Sequence, residues 1–125
     1  MRNKKTDALR RARQVQRDAA RTGFDWPPGD PALWHKLHEE IRELKAVARD
    51  RRKAREELGD LLFAVINVAR HLKVDAGGAL AGAIRKFERR FTYVMRGAAS
   101  FPPKGDRRRL AAMERRWQQA KRRGL

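Results

Sequence analysis

The chain has 125 residues and a formal net charge of +17 at pH 7, from 32 Lys and Arg against 15 Asp and Glu. This length suits one domain, and a hydrophobic content of 41% is enough for a folded core. Because there is no Cys, disulfides, zinc-thiolate sites and thiol nucleophiles are excluded. We expect a single domain over 1–125 with a basic, flexible N-terminus at 1–7, and a surface that attracts polyanions.

The hydropathy of the chain predicts no membrane span. The longest nearly apolar run, 58–69, is interrupted by Asp60 and Asn67. It is also shorter than the roughly 20 residues that a membrane span needs. No secretory apolar segment follows Met1. We therefore expect a soluble, cytoplasmic protein without a membrane partner.

Proline marks the loops of the chain, and helical periodicity predicts the elements between them. All five Pro residues lie at 27–31 and 102–103. The first predicted helix, 6–21, is rich in Ala, Arg and Gln and has only a weak apolar stripe. The second, 32–49, places its apolar residues at helical spacing.

The remaining predicted helices carry most of the apolar residues. The third, 53–72, is apolar on nearly every side and must be covered all round. The fourth starts near 76 and has one apolar face, and the fifth follows Asp106, which suits an N-cap. No segment alternates apolar and polar residues in the way that is typical of β-strands. We predict an all-α bundle of about five helices.

Acidic residues are concentrated in one part of this basic chain. Seven of the 15 carboxylates lie between 39 and 60, namely Asp50 and the six residues Glu39, Glu40, Glu43, Glu56, Glu57 and Asp60. Two antiparallel helices joined by a short turn would bring pairs of carboxylates at i, i+3 spacing face to face, where they repel one another unless cations lie between them. All-oxygen ligation is what Mg²⁺ or Mn²⁺ prefers. We predict a metal site at Glu40, Glu43, Glu57 and Asp60; salt bridges on solvated helix faces are the alternative.

Other polar and aromatic residues could extend such a site. A pair of cationic side chains that faces a metal is suited to binding a polyphosphate, because the metal neutralises one side of the phosphate chain and the cationic side chains neutralise the other. The candidates are Asn67 and His71 on the third predicted helix, Lys86 and Arg90 on the fourth, and Trp117 and Lys121 on the fifth. Solvated surface and ordinary core packing are the alternatives for each.

Several strings in this chain are similar to one known family. Residues 39–43 (EEIRE), followed by 56–72 (EELGDLLFAVINVARHL), strongly resemble the MazG family of all-α nucleoside triphosphate pyrophosphohydrolases. The strings GFDWP at 23–27 and KFERRF at 86–91, and the stretch 113–121, resemble it too. The resemblance covers about 8–122 in collinear order and matches the C-terminal of the two domains in long MazG proteins. It implies a single MazG-like domain over the whole chain.

The resemblance implies an enzyme and its cofactor. Glu40, Glu43, Glu57 and Asp60 match the family's Mg²⁺ ligands, with Mn²⁺ as a substitute. The implied reaction is hydrolysis of NTP or dNTP between the α and β phosphates, giving a nucleoside monophosphate and pyrophosphate, with a role in house-cleaning of the nucleotide pool. Glu39 or Glu40 would help to deprotonate the attacking water. The family is typically dimeric and the third helix needs further cover, so we expect a homodimer.

The resemblance also implies a substrate-binding set. Lys86, Arg90, Trp117 and Lys121 match positions that the family uses around the nucleotide. Trp117, or Trp26 in the loop at 23–27, would stack on the base, which suits loose base specificity because every base has a π-face. We add Asn67 because it extends the polar groove.

Two other functions stay open. A nucleic-acid-binding module would use the net charge and a stripe of arginines on the first helix, Arg10, Arg13, Arg17 and Arg21. A catalytically decayed MazG relative would bind nucleotides without turnover. Steep salt dependence of RNA or DNA binding would favour the first, and Mg²⁺-dependent nucleotide binding without hydrolysis would favour the second.

Overall fold

The structure is a computed structural model that describes residues 7–125, and the regular elements in that range are all helical. They are α1 (Ala8–Arg21), α2 (Ala32–Ala46), α3 (Arg51–His71), α4 (Ala76–Met95), a 3-10 turn (Ala98–Ser100) and α5 (Arg107–Arg122). The prediction of an all-α protein with about five helices is confirmed. The basic segment predicted at 1–7 lies, apart from Asp7, outside the described residues.

The chain divides into two compact units in the first turn of α4. The first unit ends at Gly77, and the second unit is Gly78–Leu125. The prediction of one domain over 1–125 stays a prediction. No helix in the described part of the chain is long and apolar enough to cross a membrane.

Capping carboxylates decide where two of the helices begin. The Asp50 side chain accepts hydrogen bonds from the backbone N–H groups of Arg52 and Lys53, both at 3.1 Å. This cap starts α3 at Arg51, two residues before the predicted start. Asp106 accepts from the N–H of Arg108 at 2.9 Å, which confirms it as the N-cap of α5.

In the first unit, α3 packs against both α1 and α2. Only residues 47–50 separate α2 from α3, so the two packed helices run antiparallel. Leu33 on α2 and Ile66 and Val68 on α3 form the buried apolar core of this unit. The packing places the acidic stretches of α2 and α3 opposite each other.

One apolar face of α3 is left exposed by residues 7–125. Leu58, Leu62 and Val65 lie on this face and are between 46% and 54% exposed, whereas Ile66 is only 7% exposed. A helix that is apolar nearly all round is stable in water only when all its faces are covered. The exposed face is therefore a surface available to a partner.

The second unit holds α4 to α5 through Arg116. Its guanidinium donates to the backbone carbonyls of Tyr93 at 2.9 Å and Val94 at 3.2 Å, and lies 4.5 Å from the centroid of the Tyr93 ring. A Cβ on Gly97 would lie 2.5 Å from Cδ of Arg116, so the side chain passes where only glycine leaves room. Tyr93 and Val94 are buried, and so is Ala120 on α5.

Asp25 fastens the loop between α1 and α2 to the last turn of α3. Its carboxylate accepts from both terminal nitrogens of Arg70, at 2.7 and 2.9 Å, and lies 2.8 Å from Nε2 of His71. The hydrogen bonds from Arg70 are the largest cause that lowers the pKa of Asp25 to about 2. This contact fixes the position of Trp26, the next residue in the loop.

Because Asp25 is a stronger acid in the folded chain than in the unfolded one, its ionised form stabilises the fold. We expect Asp25→Asn to lower the free energy of unfolding at pH 7 by about 2 kcal/mol. That difference from the wild type should shrink as the pH falls from about 4 to about 2, where the native carboxylate is protonated. Urea unfolding of both proteins across this range measures it. Asp18→Asn, at an exposed carboxylate, is the control and should cost less than about 0.5 kcal/mol; a pH-independent loss in Asp25→Asn would contradict the assignment.

Candidate active site

Three carboxylates converge where α2 meets α3. Glu40 on α2 and Glu57 and Asp60 on α3 each offer an oxygen, and the three atoms lie within 4.8 Å of one another. Glu40 is buried, Glu57 is half-buried and Asp60 is exposed, so the cluster opens to solvent on the side of Asp60. We call these three residues the acidic cluster. They are three of the four residues predicted as metal ligands.

The acidic cluster contains oxygens that no group among residues 7–125 satisfies. One carboxylate oxygen of Glu40 and one of Glu57 are buried without a hydrogen-bond partner. Burying a carboxylate oxygen without a compensating partner is costly, and such atoms are rare in folded proteins. An all-oxygen donor set of this charge fits a hard divalent cation such as Mg²⁺ or Mn²⁺. The residues present therefore suit the predicted metal.

Lys36 holds the buried carboxylate of the cluster in place. Its Nζ lies 2.8 Å from Oε1 of Glu40 and 3.8 Å from Oε2 of Glu39. The hydrogen bond to Glu40 is the main cause that raises the pKa of Lys36, so its ammonium group stays charged. Sequence reasoning missed this residue, although its i, i+4 spacing from Glu40 was a signal.

Glu43 lies beside the cluster on α2 and is half-buried. Desolvation is the largest cause that raises its pKa, followed by the negative charges of Glu40, Glu39 and Glu57. Its part in metal binding stays a prediction. Glu39 is exposed, and its catalytic role likewise stays a prediction.

A cavity of about 670 Å³ in the first unit adjoins the acidic cluster. Its size is in the range of pockets that hold small molecules. The structure brings four predicted site residues to its walls, namely Glu40, Asp60, Trp26 and Asn67. Lining residues that sequence reasoning had not assigned to the site include Gln16, Phe24, Asp25, Lys36 and Arg70.

The predicted substrate-binding residues of α4 and α5 all lie in the second unit. Arg90 is half-buried, with its guanidinium 5.4 Å from the centroid of the Trp117 ring and its Nε donating to the carbonyl of Leu125 at 2.8 Å. Lys86 and Lys121 are exposed. The roles of these four residues in nucleotide binding stay predictions.

Comparison with known proteins decides the family. The model of the MazG nucleotide pyrophosphohydrolase domain matches residues 30–95, which is more than half of the chain. The chain belongs to the MazG family. The matched part contains the whole acidic cluster, Lys36 and Glu43, and it confirms the resemblance inferred from the sequence motifs.

Relatives of this MazG chain include longer bacterial proteins. It is 45% identical over 119 residues to the nucleoside triphosphate pyrophosphohydrolase of Escherichia coli strain K12, across 92% of this chain and 45% of that protein. It is 48% identical over 85 residues to the nucleoside triphosphate pyrophosphohydrolase/pyrophosphatase MazG of Thermotoga maritima, across 67% of this chain and 32% of that protein. The chain thus spans less than half the length of these relatives.

The unsatisfied oxygens of this MazG chain make the acidic cluster a source of instability that a bound cation would remove. We expect Glu57→Gln to raise the free energy of unfolding by about 1 kcal/mol in the presence of a chelator, because it removes one of the mutually repelling carboxylates. The same variant should lose most of the stabilisation that millimolar Mg²⁺ or Mn²⁺ gives the wild type.

Thermal unfolding with chelator and with each metal measures both effects. Glu56→Gln is the matched control, since Glu56 precedes Glu57 on α3 but is exposed and does not belong to the cluster. It should keep the full response to metal. A metal response in Glu57→Gln equal to that of the wild type would argue against the cluster as the binding site.

Proposed function

We propose that this MazG chain hydrolyses nucleoside and deoxynucleoside triphosphates between the α and β phosphates, releasing a nucleoside monophosphate and pyrophosphate. The observation that carries the proposal is the acidic cluster, with its two unpartnered buried oxygens, beside a cavity of about 670 Å³. The names of the relatives from Escherichia coli and Thermotoga maritima support the same reaction. A cytoplasmic location and a role in house-cleaning of the nucleotide pool are proposed with it.

Glu40, Glu57 and Asp60, with Glu43 beside them, are the residues that would hold the cation. Bound there, Mg²⁺ or Mn²⁺ would supply positive charge to the phosphate oxygens and acidify a water molecule. Lys36 contributes a further positive charge at the same end of the cavity, within hydrogen-bond distance of Glu40. A divalent cation together with this ammonium group favours a polyphosphate over an uncharged substrate.

A carboxylate on α2 is the proposed general base. In the reaction, the oxygen of water forms a bond to the α phosphorus, the bond from that phosphorus to the bridging oxygen breaks, and the proton of water passes to the carboxylate. Glu39 suits this task better than Glu40, since Glu40 has one oxygen on Lys36 and takes part in the acidic cluster. Glu39 is exposed and has only a long contact to Lys36, at 3.8 Å.

The nucleoside part of the substrate needs an aromatic partner and further cations. Trp26 and Asn67 line the cavity of the first unit, where an indole ring is suited to stacking on a base. Lys86, Arg90, Trp117 and Lys121 are proposed to contact the nucleotide as well. The chemistry of these side chains supports this role, because Lys and Arg bind phosphates and the ring of Trp stacks on bases.

The nucleic-acid-binding alternative finds no specific support in the contacts of α1. In the predicted arginine stripe, Arg13 lies 3.4 Å from Asp75 and Arg21 lies 3.3 Å from Asp18. Both therefore already face carboxylates, and the stripe is less available to phosphates than its sequence indicated.

Release of pyrophosphate is the test of the reaction. With Mg²⁺ and a panel of common and modified NTPs, we expect release by the wild type and a loss of about 100-fold or more in kcat/KM for Glu43→Gln and Asp60→Asn. Asp18→Asn, at an exposed carboxylate of α1 outside the cavity lining, is the control and should keep the wild-type rate.

Other outcomes identify the alternatives. Nucleotide binding that requires Mg²⁺ but gives no pyrophosphate would identify a decayed relative. Affinity for RNA that falls steeply with salt, without nucleotide turnover, would favour the nucleic-acid-binding module. Full activity in both carboxylate variants would remove the acidic cluster from the mechanism.

We also propose a homodimer, because Leu58, Leu62 and Val65 form an apolar face of α3 that is between 46% and 54% exposed, and burying such a face stabilises an association. Light scattering after gel filtration should give twice the chain mass for the wild type and the chain mass for Leu62→Asp, since a buried carboxylate at an apolar interface is costly. Leu110→Asp is the control, because Leu110 is an apolar residue of α5 that is 62% exposed and is not part of the α3 face. A wild-type mass of one chain at micromolar concentration would overturn the dimer.

A further inference from the structure

Gln16 is a polar residue on α1 that no part of the proposed mechanism uses. It is 7% exposed, and its Nε2 donates to the backbone carbonyl of Phe63 on α3 at 2.9 Å. A carbonyl oxygen only accepts hydrogen bonds, so the amide nitrogen must face it. The contact therefore fixes the amide of Gln16 with its oxygen turned away from Phe63.

That oxygen has no partner. Among residues 7–125, three buried side-chain atoms lack a hydrogen-bond partner, and they belong to Gln16, Glu40 and Glu57. The cation proposed above satisfies the two carboxylates. It does not explain Gln16, which lies outside the acidic cluster. A buried acceptor without a partner is rare in native proteins and indicates a group that the chain itself does not provide.

The position of Gln16 indicates what that group is. Gln16 lines the same cavity as Lys36, Glu40 and Asp60. Its partner Phe63 comes one helical turn after Asp60 on α3, about 4.5 Å further along the axis. Asn67, one more turn along, lines the cavity too, about 10 Å from Asp60 along the axis. A nucleotide with its phosphates at the acidic cluster would extend its nucleoside in this direction.

The cavity around Gln16 is suited to a flat ring. Its apolar lining residues are Val15, Ala19, Phe24, Trp26, Leu33, Phe63 and Ala64. These side chains can cover the faces of a base, and apart from the indole N–H of Trp26 they cannot bond to the polar groups on its edge. The amide oxygen of Gln16 only accepts hydrogen bonds, so its partner on a base edge must be a donor.

We propose that Gln16 is a specificity-determining residue, whose amide oxygen accepts a hydrogen bond from an N–H group on the edge of the substrate base. The proposal deepens the proposed function and rests on it. Adenine and cytosine carry such a donor in their exocyclic amino groups, and guanine, uracil and thymine carry one in a ring N–H group. Bases that present only acceptors are disfavoured, because they leave the oxygen of Gln16 unpaired. A single acceptor does not read a whole edge, so several bases remain acceptable.

Nucleotide pairs that differ only in the exocyclic amino group test this. We would use the α,β-methylene analogues of ATP and of purine riboside triphosphate, and of CTP and of pyrimidin-2-one riboside triphosphate. Their Kd values with Mg²⁺ are measured by titration calorimetry, since the methylene bridge blocks cleavage. In at least one pair, the wild type should bind the amino-bearing member about tenfold more tightly.

Variants of Gln16 should remove this preference. In Gln16→Met and Gln16→Leu the ratio of the two Kd values should approach one, mainly through weaker binding of the amino-bearing member. Gln14→Met is the matched control, because Gln14 lies on the same helix but is exposed and bonds only Asp18, at 2.9 Å. It should keep the wild-type ratio.

Equal Kd values within both pairs for the wild type would overturn the proposal whether or not the variants fold. So would a ratio that persists in the variants of Gln16, because a purely structural role in joining α1 to α3 weakens both members of a pair equally. Pyrophosphate release is measured in parallel with the unmodified nucleotides. Equal Kd values within both pairs together with pyrophosphate release would overturn only the role of Gln16, whereas tighter binding of the amino-bearing member without release would overturn only the proposed hydrolysis.

Discussion

Repulsion among the carboxylates between α2 and α3 is the constraint on which the site depends. The antiparallel packing of these helices brings Glu40, Glu57 and Asp60 within 4.8 Å of one another and buries oxygens that the chain does not satisfy. Lys36 neutralises part of that charge through its contact with Glu40. The remaining negative charge suits a cation, and binding of one there would link the stability of the first unit to its chemistry.

The rest of the first unit positions the wall of a cavity beside this charge. Asp25 fixes the loop that carries Trp26 by bonding Arg70 and His71 at the end of α3. Gln16 joins α1 to the middle of α3. Along α3, therefore, the residues change from carboxylates to apolar and amide groups within about two helical turns, which is the order in which a nucleotide changes from phosphate to base.

The helices and the acidic cluster could be predicted from the sequence, because both depend on local spacing. Helical periodicity and the N-cap at Asp106 predicted the five helices. The predicted start of α3 was two residues late, because the cap at Asp50 begins this helix at Arg51. Carboxylates three residues apart share one face of a helix, so two such pairs on consecutive antiparallel helices meet when those faces pack toward each other. The family resemblance was carried by the same local strings.

The tertiary structure alone decided the contacts between residues distant in sequence. Gln16 and Phe63 are 47 residues apart, and Asp25 and Arg70 are 45 apart, so no periodicity relates them. Nothing in the string Val15-Gln16 distinguishes a buried amide from an exposed one such as Gln14. Burial and unpaired hydrogen-bonding groups are properties of packing between helices, and they appear only once α1 and the loop at 22–31 are placed against α3.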